Sequence, residues 1–137
     1  MKNMSEFRET AEKLRNDPEV VYNCCCAAVL PFADKAGIDK ETVMKMTKNF
    51  GGGMRNADRC GAICGGLMVL GMFDVGDPKT IAEYYRSFRE NHDGMLDCRD
   101  LLKANAAKGL PKKPHCDGMV YESVELAERL LKERGKI

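Results

Sequence analysis

The chain contains no tryptophan and only two histidines, and 7% of its residues are aromatic. It also lacks a charge surplus: 22 Lys and Arg face 21 Asp and Glu over 137 residues, and no long block of one sign appears. Without the electrostatic footprint that phosphate backbones demand, nucleic acid is not an expected partner. Long apolar runs are missing as well. The stretches Cys24 to Phe32 and Ala62 to Phe73 are too short or too rich in glycine to cross a bilayer, so no membrane partner is expected. The opening residues, Met1 to Glu9, have neither the apolar core nor the small-residue cleavage site of a secretory signal. A cytoplasmic location follows as an expectation.

Several cysteine signatures are also absent. There is no Cys-x-x-Cys, which removes the thioredoxin-type dithiol and the ribbon-type zinc site, and no Cys-x-x-Cys-His for covalent haem attachment. What is present is a set of seven cysteines at 24, 25, 26, 60, 64, 98 and 116. A reducing compartment discourages structural disulfides, and an odd count argues against a fully paired framework. Metal binding and thiol chemistry remain open. The length suits a single domain, residues 1–137, large enough to bury a core without disulfide staples.

The periodicity is helical throughout, and no run alternates as a strand for more than a few residues. Ser5 caps a first helix with Phe7, Ala11 and Leu14 on one face, and Asp17-Pro18 signals a second, carrying Val20, Val21, Cys24, Ala27 and Ala28 and kinked at Pro31. Gly37 stops it. Asp39 caps a third helix with Val43, Met46 and Phe50 on one face, and Gly51, Gly52 and Gly53 break the chain. A central helix from Asn56 or Asp58 to about Met72 carries Gly61, Ala62, Gly65 and Gly66, small enough for close approach by a neighbour. Asp77-Pro78 opens a fifth helix with Ile81, Tyr84, Tyr85 and Phe88, and Cys98 opens a short helix to Leu102. Asn105 to His115 reads as a solvated loop. The last helix buries Val120, Val124, Ala127 and Leu131 and turns Glu122, Glu125, Glu128 and Glu133 to water. The fold class is all-α, a compact bundle of about five to seven helices.

Cys60 and Cys64, four apart, share one face of the central helix. Cys60 lies in its first turn, where amide dipoles favour a thiolate, with Arg55 and Arg59 nearby. Cys98 and Cys116 also fall at predicted helix starts. Cys24, Cys25 and Cys26 are rotated about 100° from one another, so at most two can face one site, and Cys25 and Cys26 read as packing residues. His115 either tunes Cys116 or is simply solvated. Gly51, Gly52 and Gly53 present backbone amides to an anion or cofactor, or form a plain turn, since the strand and the Lys-Ser/Thr ending of a phosphate loop are missing.

Four blocks carry a resemblance. They are Asn23-Cys24 with Ala27-Ala28-Val29-Leu30; Phe50-Gly51-Gly52-Gly53-Met54; Cys60-Gly61-Ala62-Ile63-Cys64-Gly65-Gly66 leading to Leu70-Gly71; and Cys98-Arg99-Asp100-Leu101-Leu102 followed by Cys116. Together they resemble the redox-active family named for its C_GCAxxG_C_C pattern. The resemblance implies that Cys24, Cys60, Cys98 and Cys116 are the functional positions, with Cys25, Cys26 and Cys64 additional.

The leading expectation is a thiol-based redox centre, an oxidoreductase-like cluster of Cys24, Cys60, Cys98 and Cys116 between helices, with Cys60 as nucleophile and an unidentified redox partner. The alternative is a zinc or iron-sulfur site held by the same four cysteines, with Cys64 as a further ligand. A third reading is a non-enzymatic helical interaction domain.

Overall fold

In a computed structural model, which describes residues 5–137, four helices begin where a side chain accepts a hydrogen bond from a free backbone N–H. Ser5 accepts from Arg8 N at 3.1 Å to start α1 (Glu6–Arg15), and Asn23 accepts from Cys26 N at 2.8 Å to start α2 (Cys24–Ala36). Asp39 caps α3 (Lys40–Thr47) and Asp77 caps α5 (Pro78–Asn91). The other helices are α4 (Gly61–Met72), α6 (Cys98–Ala107) and α7 (Lys112–Glu133). With an irregular helical turn at Gly53–Ala57 there are eight helical segments among the described residues, one above the expected range, and no strand. Residues 1–4, part of the stretch read for a secretory signal, lie outside the described residues.

Helices α2, α4 and α7 pack against one another around one continuous core; α1 lies on α2 and α7, α3 on α2, and α5 and α6 on α7. Phe7 of α1 stacks on Phe32 of α2, with ring centroids 4.4 Å apart. No helix among the described residues is long and apolar enough to cross a membrane.

Several boundaries differ from the sequence expectation, each for a local reason. Asp17 does not cap a helix. Its carboxylate accepts from the amides of Glu19 and Val20 at 2.8 and 2.9 Å, an Asx turn that competes with helix formation. The segment 16–23 is therefore non-helical, Val20 and Val21 are exposed, and Asn23 caps α2. Pro31 sits inside α2 without ending it. In α3 the buried face is Val43 and Thr47, while Met46 is exposed. Helix α6 continues to Ala107 and α7 starts at Lys112, leaving only a short turn where a longer loop was expected. Pro114 is tolerated because it lies in the first turn of α7, where its missing N–H has no partner to lose. Glu128 is buried on α7 and held by Lys132 at 2.7 Å.

The glycines of α4 set the spacing of the bundle. A Cβ on Gly65 would lie 2.7 Å from the Ala28 Cβ and 2.9 Å from the Cys25 carbonyl oxygen of α2, and one on Gly61 would lie 2.6 Å from the Phe50 carbonyl oxygen. Gly66 makes room on the opposite side. Through that gap the Tyr84 hydroxyl donates to the Ile63 carbonyl at 2.8 Å and the Ser123 hydroxyl donates to the Ala62 carbonyl at 2.7 Å. Both hydroxyls are fully buried and would be orphaned if displaced.

Gly66→Ala places a Cβ 2.0 Å from the Tyr84 hydroxyl and 2.6 Å from that of Ser123. Overpacking and lost hydrogen bonds outweigh the gain in helix propensity, so chemical denaturation should show a loss of about 2–4 kcal/mol. Gly71→Ala, on the same helix with nothing within 4 Å of the new Cβ, should instead gain about 0.5–1 kcal/mol. Equal effects from the two substitutions would contradict this packing.

Candidate functional site: a four-cysteine pocket at converging helix starts

The site begins with where helices start. Asn23, the cap of α2, makes Cys24 its first residue, and its side-chain amide also donates to the Thr47 carbonyl at 3.1 Å, tying the end of α3 to the start of α2. Cys60 is the cap of α4 and Cys98 the first residue of α6. A short antiparallel bridge joins these two: Arg59 pairs with Asp97, Cys60 N donates to the Leu96 carbonyl at 3.0 Å, and Cys98 N donates to the Asp58 carbonyl at 2.6 Å. Cys116 lies one turn into α7.

These starts face one pocket of about 230 Å³. Its walls include Cys24, Cys60, Cys98 and Cys116, the loop Gly51 to Gly53, the apolar side chains of Leu101, Leu102 and Met119, and the polar groups of Arg15, Lys112 and His115. The glycine loop is present for steric reasons. Gly52 and Gly53 have φ of +63° and +68°, and a Cβ on Gly53 would lie 2.7 Å from that of Cys98. Met54 and Arg55 continue in the left-handed region at φ 60° and 56°, at about 1–2 kcal/mol each for residues with a side chain.

The pocket does not gather every predicted residue. Cys64 is half-buried beside Arg59 and is not part of the pocket wall, while Cys25 and Cys26 are buried in the core. The Cys25 thiol sits 3.7 Å from the Met68 sulfur, and Cys26 lies beside Thr47. Arg59 is turned toward Asp97 at 3.1 Å and lies over the Tyr85 ring, and Arg55 reaches Asn49, so neither flanks the pocket. Among the described residues, no group of three or more Cys, His, Asp or Glu side chains is disposed to hold one metal ion.

Arg15 supplies the positive charge that the sequence reading assigned to Arg55 and Arg59. Its Nε donates to Asp117 at 2.7 Å and its Nη1 to the Tyr22 carbonyl at 2.9 Å, so it clamps α1, α7 and the segment before α2 beside Cys24 and Cys116. Lys113 adds a second donor to Asp117 at 2.8 Å. Sequence spacing gave no hint of Arg15, because its partner is 102 residues away. Lys112 was visible only as one lysine of a presumed loop.

The electrostatics separate the thiols. The neighbouring Cys116 thiol, helped by the charges of Arg15 and Lys112, outweighs burial and lowers Cys24 to about 6. Cys116 is raised by its pairing with Cys24, by burial and by the neighbouring Cys24 charge. Cys60 was expected to be the ionised thiol. The nearby amides of Ala62 and Ile63 favour its thiolate, but burial dominates and pushes it up to about 12. Burial also raises Cys98 and Cys64, and it lowers His115, whose ring is therefore neutral near pH 7.

The family described as "Putative redox-active protein (C_GCAxxG_C_C)" matches residues 22–130, a span that takes in all four pocket cysteines and the glycine loop. No curated protein and no solved structure shows significant similarity to the chain. With most of its length matched, including the block from Cys60 to Gly66, the chain belongs to the C_GCAxxG_C_C family of redox-active proteins.

Proposed function

We propose that this chain is a thiol redox protein in which Cys24 and Cys116 are the exchanging pair and Cys60 and Cys98 are companion thiols of the same pocket. The observation that carries the reading is the single pocket walled by Cys24, Cys60, Cys98 and Cys116, in which Arg15 and Lys112 stand beside Cys24 and Cys116. Thiolate is the nucleophile in such chemistry, and Arg15 and Lys112 favour it at Cys24.

In the first step the Cys24 thiolate attacks one sulfur of a substrate disulfide, forming a mixed disulfide and releasing a substrate thiolate. The negative charge that opposed ionisation of Cys116 is then gone, while Arg15 and Lys112 remain. Cys116 passes its proton to the departing thiolate and attacks the Cys24 sulfur. The products are the Cys24–Cys116 disulfide and a reduced substrate, with two electrons transferred. The apolar walls at Leu101, Leu102 and Met119 shield the mixed disulfide from competing thiols, and a pocket of about 230 Å³ admits a small organic group rather than a folded domain.

Mild oxidation of the anaerobically purified chain should remove two of its seven free thiols, and reduction should restore them. Cys24→Ser and Cys116→Ser should each abolish that loss, whereas Cys25→Ser should leave it intact. Unchanged thiol counts on oxidation would sink the pair, and one zinc or iron per chain with thiols resistant to alkylation would replace it with a metal site.

Alkylation by iodoacetamide should show one thiol whose rate rises with a midpoint near pH 6, assigned to Cys24 by peptide mapping. In Arg15→Gln that midpoint should move upward, toward the ordinary thiol value. Because the folded state lowers the Cys24 value, its contribution to stability is full at the ordinary thiol value and is lost as pH falls through about 6. Cys116, raised in the folded state, works against folding above the ordinary value. Stability attributable to the pair should therefore rise from pH 6 to 9, and denaturation midpoints of Cys24→Ala should lack that rise.

A further inference from the structure

The pocket is not the only approach to the thiol pair. Cys116 also lines a second concavity, with Leu14, Asp17, Val20, Val21 and Lys113, whereas Cys24 lines the pocket alone. Val21 and Tyr22 then continue into a third concavity bordered by Lys40, Lys45 and Lys48. The three share lining residues and form one surface whose crest is the non-helical segment before α2. Val21 on that crest is 93% exposed and Val20 39%, two apolar side chains that the core does not take.

Among the residues lining the second and third concavities, lysines outnumber carboxylates, although Lys113 pairs with Asp117 and Glu19 lies on the crest. Lysines flank the crest on both sides, and the carboxylates among the same linings are Asp17, engaged with its own backbone, and Glu41, paired with Lys45. Lys40 bonds the Tyr22 hydroxyl at 3.1 Å rather than a carboxylate. More broadly, residues 40–60 and 98–116, which supply most of the pocket wall, hold ten Lys and Arg against three Asp and Glu, although the whole chain is close to neutral. An apolar crest within a lysine rim suits a partner with an acidic rim around an apolar contact.

We propose that the surface centred on Val20 and Val21 docks an acidic protein bearing a reactive dithiol, which regenerates the reduced pair by attacking Cys116 from the lysine-flanked side. The proposal rests on the redox reading above and names its electron donor. One partner thiolate attacks the Cys116 sulfur of the Cys24–Cys116 disulfide, and Cys24 leaves as thiolate. The second partner thiol then attacks the partner sulfur of the mixed disulfide, expelling Cys116, which takes up a proton. The partner dithiol becomes a disulfide and two electrons reach the pair; the proton of the second partner thiol ends on Cys116, and the charge of the attacking thiolate ends on Cys24. Substrate thus meets Cys24 inside the pocket while the donor meets Cys116 outside it.

The test uses the oxidised full chain and synthetic peptides with Cys-x-x-Cys between glutamate runs or lysine runs, with dithiothreitol as the neutral reductant. At low salt the glutamate peptide should reduce the pair about tenfold faster than the lysine peptide, and the difference should vanish near 1 M salt. The double variant Val21→Asp, Lys48→Glu, changed only at exposed positions, should lose the preference with its dithiothreitol rate unchanged. A glutamate peptide with a single cysteine should be trapped on Cys116. Trapping on Cys24, equal rates for the two peptides, or a preference that survives the double variant would overturn the docking surface alone. Salt-sensitive binding of a polyuridine oligonucleotide without peptide preference would reassign the surface and overturn it too. If peptide mapping finds no Cys24–Cys116 disulfide after oxidation, the redox reading falls and the docking surface with it.

Discussion

Cysteines at the starts of two helices can share a pocket only if the helix backbones nearly touch, and that contact between α2 and α4 underlies the whole arrangement. Gly61 and Gly65 permit it. Any side chain at Gly65 would press on Ala28 and the Cys25 carbonyl, and any at Gly61 on the Phe50 carbonyl. Prising the helices apart would carry Cys60 away from Cys24. On its other side Gly66 admits the hydroxyls of Tyr84 and Ser123, which anchor α4 to α5 and α7. The same three glycines therefore set the core spacing and the pocket wall.

Once the helices are that close, the chemistry depends on which charges reach the thiols. Several helix starts point toward the pocket, yet helix amides alone do not ionise Cys60, because burial costs its thiolate more than the nearby amides of Ala62 and Ile63 return. Cys24 differs in having the Cys116 thiol beside it and the Arg15 guanidinium at hand. Arg15 can stand there because Asp117 and the Tyr22 carbonyl hold it in a largely buried position. Two neighbouring sulfurs of one chemical type are thereby driven apart in acidity, the separation that the proposed exchange uses.

Much of the bundle was legible in the residues. The caps at Ser5, Asp39 and Asp77, the stop at Gly37, and the buried lines of Phe7 and Ala11 or of Val120 and Val124 obey local rules that act over a few residues. The misreadings occurred where two local signals compete. Asp17-Pro18 resembles Asp77-Pro78 in letters, but Asp17 spends its carboxylate on an Asx turn. That difference moved the start of α2 to Asn23 and left Val20 and Val21 outside the core. The lysine-rich stretch before Cys116 looked like a loop because Pro114 reads as a breaker, although proline is harmless in the first turn of a helix.

By itself the sequence determined the helical class and most helix limits, and it singled out the four cysteines that line one pocket, since periodicity, capping and motif spacing are properties of neighbouring residues. Only the tertiary structure decided which charges stand beside each thiol and which concavity each sulfur lines. Those depend on burial and on charges brought from remote segments, Arg15 from α1 and Asp117 from α7, 102 residues apart in the chain. Electrostatic energy follows distance in space and the surrounding dielectric, and neither is written in the order of the residues.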